Sequence, residues 1–159
     1  VAAVLVLGSV AAATGGALSP SLWLALLVLL AGQGFCFAAL GMAVGAATRS
    51  SEGALVRGLS LWAACAMLVD FVILGLMLRW ELPPGLVFVL AGLNPMQAGR
   101  IGLLAAFDAE MGSIGPVGTW AVVTLGAPLT MAWGLGWPWL VGVVALAWGK
   151  HKFSRTDVL

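Results

Sequence analysis

Residues 58–78 read GLSLWAACAMLVDFVILGLML. In that run of twenty-one residues the only ionisable acid or base is Asp70. About 20 apolar residues, rising about 1.5 Å each, match the hydrocarbon thickness of a bilayer, so the stretch predicts a membrane-spanning helix. Upstream, Thr48–Arg57 (TRSSEGALVR) predicts a polar loop. Downstream, Arg79–Pro84 (RWELPP) ends the span, because paired prolines remove amide donors and clash with the preceding turn.

The same reading extends in both directions. Leu22–Ala47 is a second full span, interrupted by Gln33 and scattered small residues. Val1–Thr14 is apolar but short for a crossing and reads as the tail of a further span, with Gly15–Pro20 as the turn after it. It has no basic segment before its apolar run, which argues against a signal peptide, and Val1 is expected to enter in mid-protein. Gly85–Phe107 holds two apolar pieces, Gly85–Leu93 and Ile101–Phe107, each too short to cross and divided by Asn94-Pro95 and Arg100. Asp108–Pro116 is polar. A helix at the outer interface is expected near Val117–Gly126, then a kinked final span from about Ala127 to Trp148, with Pro128, Gly134, Gly136 and Pro138 as break points. The predicted fold is an all-α polytopic membrane protein, a helical bundle of about four spans with an outer re-entrant or interfacial segment over 80–126.

Composition agrees. The chain is 62% hydrophobic and 8% charged, with a mean hydropathy of +1.12. Soluble domains carry roughly 25% charged residues, so lipid must solvate most of this surface. Net charge is +1 and no basic tract suggests a nucleic-acid partner. Cys36 and Cys65 lie inside apolar runs and read as small packing residues.

Lys and Arg placement sets the orientation. A cytoplasmic C-terminus puts Arg49, Arg57, Lys150, Lys152 and Arg155 inside, leaving Arg79 and Arg100 outside beside Glu81, Asp108 and Glu110. Making Gly85–Phe107 a true crossing would put one basic cluster on the wrong side and drive Arg100 towards hydrocarbon, at a few kcal/mol. The segment is therefore expected to dip or lie on the outer surface. Trp23, Trp80 and Trp120 then fall at the outer interface, and Trp62 and Trp148 at the inner one.

Several chemistries lack their parts. His151, the one histidine, sits in the tail, which excludes a buried Ser–His pair and bis-His haem. No span contains Lys, and there is no Walker-type GxxxxGK[ST], so ATP use would belong to another chain. Six Met and two Cys form no CxxC or tight MxxM cluster, and no metal or other cofactor is expected. Asp70 is the one ionisable group near the middle of a span and must face protein or water. It lines or gates a path, or it is held by an interhelical hydrogen bond, for instance to Gln33, or it is protonated against a backbone partner. Gly41–Gly45 (GMAVG) has the small-xxx-small spacing that permits close helix packing.

In order, these features are a span ending in a short polar turn, SLWAACAMLVDFVILGLML, an outer LNPMQAGRIGLLAAFD, GPVG, and a last span ending in KFSRTDVL. From about Gly41 onward the sequence resembles the second half of an ABC-2 type permease. It is most similar to the Nos-type permeases of nitrous oxide reductase maturation, through Trp62, Asp70, Leu93-Asn94-Pro95 with Arg100, Gly115-Pro116 with Gly118, and Phe153–Asp157. The resemblance implies spans three to six of a six-span permease in a bacterial or archaeal inner membrane, with outer half-helices around Asn94, Pro95 and Arg100. It further implies a permease homodimer, a cytoplasmic ABC ATPase subunit, a periplasmic accessory protein and a role in copper-centre formation. Asp70 and Gln33 would then lie on the translocation path, and Arg49, Glu52 and Arg57 would form a lesser ATPase contact. A non-transporting membrane anchor or assembly subunit is the rival reading. A channel is a poorer one, because Gln33, Asp70 and a few Ser and Thr are thin lining for a pore.

Overall fold

The computed structural model describes residues 19–48, 50–80, 82–108, 110–112 and 115–156. The expected span tail at Val1–Thr14, together with Arg49, lies outside them. Among the described residues seven α-helices and one π-helical turn follow in order: α1 Pro20–Ala46, α2 Ser51–Ala63, the π turn Ala64–Leu68, α3 Val69–Arg79, α4 Pro84–Leu93, α5 Pro95–Phe107, α6 Pro116–Leu125 and α7 Ala127–Thr156. No strand occurs among the described residues. Among the described residues, three stretches are long and apolar enough to cross a membrane, Pro20–Ala46, Ser51–Met77 and Ala127–Ser154, and the bent pair Pro84–Leu93 and Pro95–Phe107 makes a fourth if it is one broken span. The architecture is that of an all-α membrane protein.

Helix boundaries follow local chemistry. Ser19 caps α1 through its Oγ, which accepts from the Leu22 amide at 3.4 Å, and Pro20 opens the helix where its missing N–H costs nothing. The polar loop expected over Thr48–Arg57 is shorter than the sequence suggested. Ser50 Oγ accepts from the Gly53 amide at 3.1 Å, and α2 starts at Ser51. Glu52 and Arg57 are therefore helical and exposed, with Glu52 in the first turn, where the helix dipole favours an acid. Gly126, at φ 83°, separates α6 from α7 with a backbone conformation that side chains other than glycine's resist. Beyond it α7 runs as one helix through Pro138.

The core is a pairing of the first and last spans. On α1, Ala25, Leu29, Gly32, Cys36, Ala39 and Ala43 are buried at alternating steps of four and three. On α7 the buried set Leu135, Pro138, Gly142, Ala145 and Gly149 has the same spacing. This is the 3.5-residue repeat that keeps one seam facing its partner. Small residues let the backbones approach. A Cβ on Gly142 would stand 3.1 Å from Cα of Cys36, and one on Gly149 would stand 3.1 Å from Cα of Ala43. Van der Waals packing of this kind holds helices together where lipid removes the hydrophobic drive. The register rises together on both helices, so α1 and α7 are parallel. Gly41 and Gly45 take no part, since a Cβ on either meets nothing within 4 Å.

The second span returns beside them. Ser51–Met77, formed by α2, the π turn and most of α3, has none of its most apolar window buried. After it, α4 and α5 meet at a bend of 118°. Contacts fix where that bend lies. Asn94, at the elbow, reaches Cys65, while Arg100, further along α5, reaches Asp70, nearer the Arg79 end of the span. Helix α5 therefore climbs back towards the end from which α4 descended. The two helices thus fold back on each other at Asn94-Pro95, the break that the sequence marked within Gly85–Phe107. This arrangement places Pro20, Arg79, Phe107 and Ala127 at one end of the bundle, and Ala46, Ser51 and the Lys150–Lys152 tail at the other.

Candidate functional site at the hairpin elbow

The elbow is Leu93-Asn94-Pro95, and each residue is tied to a different span. Proline cannot donate, so Pro95 opens α5 without losing a bond, and its carbonyl accepts from Gln33 Nε2 of α1 at 2.7 Å. Asn94 is buried; its Oδ1 caps α5 by accepting from the Met96 amide at 3.0 Å, and its Nδ2 donates to the Cys65 carbonyl at 2.6 Å. Leu93 ends α4, where a free carbonyl is expected, and that carbonyl accepts from Trp137 Nε1 of α7 at 3.1 Å. In hydrocarbon every backbone polar group needs a protein partner, and an irregular elbow is tolerated only when protein supplies them. All three spans do so here.

The Cys65 carbonyl belongs to the π turn. A π turn inserts one residue into an α-helix and concentrates at functional positions. This one sits where the elbow docks, so the widened turn and the hairpin tip form one structural unit. Aromatic packing secures the α4 side of the hairpin. Phe88 packs on Trp120 and Trp133 at centroid separations of 5.6 and 5.4 Å, and Trp133 lies 6.0 Å from Trp137. A Cβ on Gly92 would collide with the Trp133 ring, so glycine there admits the indole. Helices α5 and α7 cross even more closely, a Cβ on Gly102 standing 2.8 Å from the Gly134 carbonyl carbon.

Beyond the elbow lies an ion pair: Arg100 Nη1 donates to Asp70 Oδ2 at 3.0 Å. Asp70 is about 14 Å from Arg79 at 1.5 Å per residue, deep enough to lie in hydrocarbon. The Asp70 side chain is nonetheless 41% exposed and that of Arg100 54%. The sequence reading needs a correction here. Asp70 does not bond Gln33; Gln33 is taken by Pro95, and its Oε1 is buried without a partner. The partner of Asp70 is instead Arg100, which the sequence reading set apart from it, and the pairing offsets part of the cost of placing either charge beside apolar helices.

The remaining expected positions separate from this site. Glu52 and Arg57 stand at the far end of the span, where Arg57 Nη1 donates to Thr48 Oγ1 at 3.3 Å. Sequence reasoning missed Cys65 and Trp137 as elbow partners; the signal that could have found the ion pair was one acid and one base in apolar surroundings. A groove of about 550 Å³ lined by Phe88, Leu93, Leu129, Trp133 and Trp137 offers almost only apolar surface. No group of three or more His, Cys, Asp or Glu able to hold a metal ion occurs among the described residues. No protein-family model, curated protein or solved structure matches the chain.

Proposed function

We propose that the chain is the membrane-spanning permease subunit of an ABC transporter of the ABC-2 type, moving a small substrate across a bacterial or archaeal inner membrane. In this reading it works as a homodimer, draws on a separate cytoplasmic ATPase and a periplasmic accessory protein, and supports copper-centre maturation of nitrous oxide reductase. The observation that carries it is the hairpin. Its two helices fold back through a 118° bend beside the second span, and its Arg100 meets Asp70 while both stay half exposed. An ion pair that its own chain leaves half exposed suits a face that meets water, a moving part or a second copy of the chain. The exposed Glu52 and Arg57 at the opposite end, on the first two turns of α2, supply a surface for the ATPase.

A membrane anchor or assembly subunit is the second reading, favoured by the elbow itself. Gln33 and Asn94 donate to backbone carbonyls there and hold the hairpin still. Co-purification of the full-length protein with an ATPase, and ATP-dependent activity of the complex, separate the two. The Asp70→Asn substitution is expected to leave assembly intact and abolish activity. Full activity in that variant, or a preparation that never binds an ATPase, would favour the anchor.

A further inference from the structure

Asp70 and Arg100 leave most of their bonding capacity unused. Asp70 Oδ2 accepts one hydrogen bond, and Oδ1 accepts none among the described residues. A guanidinium has five N–H donors, and Arg100 uses one. Around the pair both helices are apolar and exposed. On the span these are Met67, Phe71, Leu74 and Met77, and on α5 they are Leu104 and Phe107. Lipid can cover those side chains, yet it cannot satisfy a half-exposed carboxylate and guanidinium.

We infer that this face is an interface between two copies of the chain, closed by a ring of four charges in which each Asp70 accepts from both its own Arg100 and that of the second copy. This rests on the homodimer reading above and specifies the surface and the groups involved. Charge complementarity and symmetry favour a second copy as the occupant. Two copies inserted in the same direction are related by a two-fold axis along the membrane normal, so a residue on one meets residues at its own depth on the other. Asp70 and Arg100 share one depth, since they touch. A two-fold beside them brings acid to base in both directions. The ring is neutral, and the acceptor and donors that one copy leaves free are those that the other requires.

The test uses the full-length protein in lipid nanodiscs, with two tags for co-capture and self-association as the readout, independent of transport. Arg100→Asp alone and Asp70→Arg alone place like charges face to face, and each is expected to lose self-capture at least tenfold. Co-expressed, the two variants can form opposite-charge contacts only between copies, so mixed capture should recover to near the wild-type level. Membrane abundance checks folding, and the neutral pair Asp70→Asn with Arg100→Gln replaces any single variant that fails to accumulate, with weakened self-capture expected. In a chain with Cys36 and Cys65 replaced by Ala, Leu74→Cys should form a disulfide with its own copy. Wild-type self-capture unchanged by every substitution would overturn the interface, as would mixed capture no better than the single variants or a monomeric wild type. Loss of ATPase binding with intact self-capture would instead sink the transporter reading alone.

Discussion

Removing the Asn94 side chain is expected to loosen the hairpin by an amount the geometry sets. Asn94→Ala deletes the cap that holds the Met96 amide, and N-cap losses of this type cost about 1 kcal/mol. It also strips the Cys65 carbonyl of its donor, and an unsatisfied buried carbonyl costs about 1–3 kcal/mol. Together these predict a loss of about 2–4 kcal/mol, a large share of the stability of a protein this size. Asn94→Ser separates the two contributions. Serine caps a helix well, but its hydroxyl is too short to span to Cys65, so about 1 kcal/mol should return. Reversible unfolding in bicelles by titration with sodium dodecyl sulfate measures all three proteins, with the order wild type, Ser, Ala expected. An alanine variant within about 0.5 kcal/mol of wild type would refute the reasoning, since the cap alone exceeds that. Equal values for Ser and Ala would show that the cap contributes nothing.

Two further expectations concern the frame around the site. Gly134→Val sets a branched side chain against Ala98 O and the Gly102 backbone, where even a Cβ comes within 2.5 Å; unfolding in bicelles should show a loss of at least about 2 kcal/mol, whereas Gly136→Val, with open space, should be near neutral. Single cysteines at Leu82 and Gly112, which flank the hairpin, should both label with an impermeant reagent from one side, while one at Ser154 should label only after the membrane is opened. Labelling of Leu82 and Gly112 from opposite sides would make α4 and α5 a crossing.

The spans were legible in the sequence because length and apolarity are local properties: Pro20–Ala46, Ser51–Met77 and Ala127–Ser154 lie close to where the uncharged runs predicted them. The break at Asn94-Pro95 was legible for the same reason, as was the separate helix before Ala127. The start of α2 was misplaced by several residues, although Ser50 and Glu52 carry an ordinary cap and first-turn signature, because polarity was weighed above capping. Partnerships were not legible. Leu93, Asn94 and Pro95 find bonds 44, 29 and 62 residues away, and no periodicity within one helix encodes such pairs. Asp70 and Arg100 were each judged as an isolated charge, and a cost of about 2.5–3.5 kcal/mol for a lone ion at the centre of a bilayer appeared to keep them apart. Considered together, the same cost brings them into contact.

The parallel seam between α1 and α7 sets a timetable for synthesis. About 80 residues separate Ala46 from Ala127, and ribosomes add about 5–20 residues per second, so α1 waits several seconds for the partner that covers its glycine and alanine face. During that interval the small-residue seam of α1 is bare, although α5 reaches α1 through Gln33 and Leu29 before α7 is made. A chain terminated before α7 emerges would therefore present that bare surface indefinitely, as a handle for the proteases and insertases that inspect unfinished membrane proteins. Completion of the last helix is the step that hides it.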